Sequence, residues 1–90
     1  MLTYKELKTA YNEWLVKKGI IDKEHVAIFG EQELPETSGD GTENGITYFS
    51  KEHKLPNGKF ETFSWIEYGE DVYDEDGEII DYKIIGYEEN

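Results

Sequence analysis

The sequence predicts an α+β fold, with one N-terminal amphipathic helix packed on a four- or five-stranded, mostly antiparallel β-meander. Three observations carry that expectation. Residues 3 to 18 hold a complete set of helix signals, the stretches after residue 46 are rich in β-branched and aromatic residues, and short turn sequences join them. Ninety residues fit a single domain, 1–90, because separate cores need about 50 residues each. Seven Tyr, four Phe and two Trp exclude a disordered acidic tail, a class poor in such residues.

The helix is specified at both ends. Thr3 and Glu6 stand at capping-box spacing, with Leu2 and Leu7 at the staple positions around them. Tyr4, Leu7, Tyr11, Trp14 and Leu15 recur at i, i+3, i+4 and i+7 and form one apolar face. Lys17 and Lys18 suit the negative end of the helix dipole, and Gly19 supplies a left-handed cap that lets Ile20 fold back on Leu15.

The run His25-Val26-Ala27-Ile28-Phe29, closed by Gly30, reads as a first strand. Residues 31 to 45 hold four Glu, one Asp, three Gly, one Pro and no aromatic, the composition of a long mobile loop. Residues 46–51 and 60–68 have strand composition around the turn Leu55-Pro56-Asn57-Gly58 and read as a hairpin. A second hairpin follows, with 71–74 and 79–85 flanking Glu75-Asp76-Gly77-Glu78.

Charge is the strongest compositional signal. There are 21 Asp and Glu against nine Lys and no Arg, for a formal net charge of −12, which disfavours direct binding to nucleic acid or an anionic membrane. No apolar run approaches the roughly 20 residues that span a bilayer, and the N-terminus lacks a basic region followed by an apolar one, so a cytoplasmic protein is expected. The charge is also local. Residues 1 to 60 carry ten carboxylates and eight Lys, whereas residues 61 to 90 carry eleven carboxylates and Lys83 alone.

Those carboxylates include Glu67, Glu70, Asp71, Asp74, Glu75, Asp76, Glu78 and Asp81, interleaved with Trp65, Tyr68, Tyr73, Tyr82 and Tyr87. One reading is a solvated sheet edge, since exposed charge blocks edge-to-edge pairing. The other is a surface made to meet a basic groove, because alternate side chains on one strand face lie about 6.6 Å apart and can imitate successive phosphates. Glu67, Tyr68, Glu70, Asp71, Tyr73, Asp74, Glu75, Asp76, Glu78, Asp81 and Tyr82 are the candidate partner-binding residues.

Other motifs fall short. Asp74-Glu75-Asp76-Gly77-Glu78-Ile79 overlays the middle of an EF-hand loop, but Val72 replaces its first ligand and Lys83 its bidentate Glu. His25 and His53 lie 28 residues apart in the sequence without local metal-ligand spacing. Ser38, Ser50 and Ser64 lack a nucleophile-elbow context, and Gly39-Asp40-Gly41 lacks the Lys of a phosphate loop. Neither a cofactor nor an enzymatic activity is expected.

In size, acidity and charge-dense strand region, the chain resembles small phage-encoded inhibitors of the DNA-mimic and anti-CRISPR type. That resemblance implies a non-enzymatic inhibitor whose acidic C-terminal hairpin occupies the basic groove of a nucleic-acid-binding protein or nuclease. The alternative is a generic interaction module, such as an immunity protein or phage assembly factor, with contacts on the helix or the 31–45 loop and acidity serving solubility.

Overall fold

The computed structural model describes residues 1–42 and 44–90. Two helices, α1 (Tyr4–Lys17) and α2 (Lys23–Phe29), precede four strands, β1 (Asp40–Gly41), β2 (Ile46–Lys54), β3 (Phe60–Tyr73) and β4 (Ile79–Glu89). The strands form one antiparallel sheet in the order β1-β2-β3-β4, the meander that the spacing of turns predicts.

Both caps of α1 form. The Thr3 hydroxyl accepts from the Glu6 amide at 3.1 Å and the Glu6 carboxylate accepts from the Thr3 amide at 3.0 Å. At the other end Gly19 takes φ 73°, its amide donates to Val16, and the Ile20 amide donates to Leu15. This is the complete Schellman pair of bonds.

Leu7, Tyr11 and Leu15 from α1 bury against Phe63 and Trp65 of β3. Each is worth about 1.5–3 kcal/mol of apolar burial, so these five side chains supply most of the core. Aromatic packing orients them. Phe49 stacks on Trp65 with centroids 5.3 Å apart and ring planes 9° from parallel, and Phe63 meets Tyr11 at 5.0 Å and Trp14 at 5.4 Å. The N-terminal end of α1 sits over β4, where Leu2 and Tyr87 exchange backbone hydrogen bonds at 2.7 and 2.8 Å. Its C-terminal end sits over the β2–β3 turn, where Lys18 pairs with Glu61 at 2.8 Å.

Residues 25–29 are not a strand but most of α2. The Asp22 carbonyl accepts from the amides of His25 and Val26, and Gly30, at φ 83°, ends the turn. Lys23, Val26 and Ala27, at i, i+3 and i+4, face α1 across a groove, which is the helical period hidden in a short apolar run. At the β2 edge of the sheet the outer position is taken by β1.

The 31–45 segment, read as a mobile loop, is tied to the body along its first half; its Glu43 lies outside the described residues. Buried Asn12 clamps the Gln32 backbone on both sides at 2.8 Å, Tyr4 donates to Glu33 at 2.5 Å, Leu34 packs on the core and the Thr37 hydroxyl donates to the Ser50 carbonyl. Asp40–Gly41 then pairs with Thr47 and Tyr48.

Candidate protein-binding arm

The stretches 60–68 and 71–73 are one continuous strand, β3, which is shared by the two expected hairpins, with β2 on one side and β4 on the other. Its partner β2 reaches only Tyr68, through Ile46, with one further bond from the Gly69 amide to the Gly45 carbonyl at 2.8 Å. Beyond Gly69, β3 and β4 run on as a two-stranded arm. The molecule is therefore long, 54 × 27 × 19 Å, with a radius of gyration of 16.0 Å against about 12 Å for a compact chain of this length.

The arm ends in a turn that its own side chains organise. The Asp74 carboxylate accepts from the amides of Asp76 and Glu78 at 2.9 Å each, and Gly77 at φ 80° completes the reversal. Asp74 thus has a structural task. Glu75, Asp76 and Glu78 project from the tip into solvent.

Two irregularities in β4 set which side chains share a face. The pairing steps from Tyr68↔Gly86 to Gly69↔Ile84 and from Val72↔Asp81 to Tyr73↔Ile79, so Ile85 and Ile80 are extra residues on β4. Asp71 is consequently opposite Tyr82 and Tyr73 opposite Ile79 on the helix side, while Glu70 is opposite Lys83 and Val72 opposite Asp81 on the other side.

The expected row of phosphate-like carboxylates along one strand face is absent from this arrangement. The acids gather at the tip and flank the arm instead. Seven carboxylates lie between Gly69 and Ile85 against the one cation Lys83.

Glu67 and Tyr68 belong to the three-stranded body. Glu67 is half-buried on the helix side, opposite Tyr87, and burial holds its carboxyl above the usual range. Tyr68 points to the other side and donates to Glu88 at 2.6 Å, and that bond raises its phenol.

The helix side of the arm is mostly apolar, with Asp71 its one carboxylate. Tyr82, Ile84, Tyr73 and Ile79 are 41, 47, 59 and 61% exposed. The signal available in the sequence was the surplus of isoleucine in 79–85, more than one covered sheet face accommodates. Among the described residues no group of three His, Asp or Glu side chains is placed to hold a metal ion.

The far end of the molecule is close to neutral. Around the β2–β3 turn and the C-terminal end of α1, Lys17, Lys18, Lys23, Lys51, Lys54 and Lys59 are matched by Glu13, Asp22, Glu24, Glu31, Glu52 and Glu61. The charge is therefore polarised along the long axis, with its negative pole at the arm.

The chain matches no protein-family model, no curated protein and no solved structure.

Proposed function

We propose that the protein is a non-enzymatic inhibitor whose acidic arm enters the basic groove of a nucleic-acid-binding protein and excludes nucleic acid from it. The observation that carries this reading is the projection of the charge on a two-stranded arm clear of the core. Asp74 lies five residue steps beyond Gly69, so strand rise carries the tip about 17 Å beyond the body. That is about two Debye lengths at physiological ionic strength, so the lysines of the body do not neutralise the field at the tip. Polarised charge orients the molecule tip-first during diffusional approach and accelerates association.

In this reading Glu75, Asp76 and Glu78 meet the cations of the groove first. Glu70, Asp71 and Asp81 line the shaft, Tyr73 and Tyr82 add apolar anchoring, and Asp74 holds the turn. Paired affinity columns test it, one carrying the wild type and one carrying E75Q/D76N/E78Q, both loaded with bacterial lysate and eluted with salt. The expected outcome is a nucleic-acid-binding protein that elutes late from the first column and is not held by the second. Equal retention on both columns would overturn the reading.

A second reading has its own observation. The groove between α1 and α2, about 510 Å³ and lined by Val16, Val26 and Ala27, opens beside Ile28 and Phe29, which are 73 and 74% exposed. A generic interaction module would bind there, and I28S/F29S rather than the tip variant would then empty the column.

A further inference from the structure

Resting on the acidic-arm reading, we propose that the bare helix-side face of the arm seats a basic amphipathic helix of the partner, laid end to end with α1.

Lengths set up the argument. The 14 residues of β3 span about 46 Å at strand rise, whereas the 14 residues of α1 span about 21 Å at helical rise. The N-terminal end of α1 stops over Tyr87, where Tyr4 meets the Tyr87 ring edge-on at 5.9 Å. The sheet face beyond it carries Tyr82, Ile84, Tyr73 and Ile79, with Asp71 opposite Tyr82, and among the described residues no element lies above them. The vacant length, about 20 Å, holds one helix of about 14 residues.

Charge selects the chemistry of the occupant. Of the seven carboxylates of the arm, Asp71 lies on this face and the other six flank it or cap its end, against Lys83 alone. An apolar stripe bordered by Lys or Arg satisfies both features, and a helix whose N-terminus points toward Glu75, Asp76 and Glu78 also presents its positive dipole end to them. A second copy of this chain meets the reverse condition, since each brings a net charge of −12 and the same acidic arm.

A helix fits better than an added strand. Within the arm, bulges at Ile80 and Ile85 leave an unbroken register of only Asp81, Tyr82, Lys83 and Ile84 on the outer strand, and bulged edges resist strand addition.

The test uses two synthetic 14-residue Leu/Lys peptides of equal composition, one with leucines at helical spacing and one with strict alternation. Titration calorimetry at physiological salt is run on the wild type, I79T/I84T and E75Q/D76N/E78Q, the threonines preserving β-branching in the arm. The proposal expects the helical-period peptide to bind the wild type at least tenfold tighter than the alternating one. It also expects I79T/I84T to lose that preference while keeping the far-UV spectrum of the wild type.

Equal or tighter binding of the alternating peptide overturns it in favour of strand addition. A preference unchanged in I79T/I84T, or sedimentation of the wild type as a dimer that these substitutions dissociate, also overturns it. Loss of the seat with tip-dependent partner capture intact refutes only this inference, whereas capture indifferent to the tip refutes the acidic-arm reading itself.

Discussion

Tyr82 lays its ring across Gly69 on the neighbouring strand, its hydroxyl reaching the Gly45 carbonyl at 3.4 Å. A Cβ built on Gly69 overlaps that ring and hydroxyl, so only glycine permits the crossing. The contact joins the root of the arm to the loop before β2, at the point where three strands become two.

Gly69→Ala therefore forces Tyr82 aside and destabilises the protein by about 1–3 kcal/mol, the usual cost of overpacking. Urea unfolding of G69A, Y82A and G69A/Y82A checks it. Much of the G69A loss disappears when Tyr82 is already alanine, a coupling that independent sites would not show.

Asn12 fastens the segment after α2 to α1 through two bonds of 2.8 Å to the Gln32 backbone, while its amide also donates to the Lys8 carbonyl within α1. Asn12→Ala leaves the Gln32 backbone unpaired and costs about 1–3 kcal/mol. Hydrogen exchange reads the same event locally, with the Gln32 amide losing protection while the amides of β3 opposite β2 keep theirs.

His53 sits between Tyr11, to which it is hydrogen-bonded at 3.1 Å, and the Trp14 ring; burial, then the nearby Lys51 charge, hold its value below the usual one. The folded state thus binds a proton less readily than the unfolded chain. The stability this confers is full above about pH 6.5 and is lost as pH falls through the lower folded value. Melting curves between pH 5 and 7.5 show wild type losing ground to H53Q as the medium acidifies.

Glu67 behaves in the opposite sense. Burial raises its carboxyl, so its contribution is complete below the ordinary glutamate value and is lost as pH rises through the folded one. E67Q melts above wild type at pH 7, and the two converge near pH 4.

What could be read from the sequence divides along physical lines. α1 was legible residue by residue because caps and face are local: Thr3, Glu6, Leu15, Gly19 and Ile20 each do what their spacing predicts. The turn at Asp76-Gly77 was legible for the same reason.

The run 25–29 is not legible in the same way, because a short apolar segment looks alike as strand or helix, and the deciding contacts of Val26 and Ala27 lie across space on α1. The sequence positions of the carboxylates put them on the C-terminal hairpin, but do not assign them to either of its faces. Alternation along β4 is broken twice, at Ile80 and Ile85, and nothing in Ile79-Ile80-Asp81-Tyr82-Lys83-Ile84-Ile85 announces a bulge. Hence the apolar side of the arm emerged only from the pairing register.

The most direct measurement of the central claim is competition at equilibrium. A partner captured through the arm is loaded with fluorescently labelled duplex DNA, and the protein is titrated in while anisotropy is followed at two salt concentrations. The wild type displaces the duplex, less effectively at the higher salt, and E75Q/D76N/E78Q loses at least tenfold in potency. Equal displacement by that variant, or a ternary complex in which the duplex stays bound, would contradict the account.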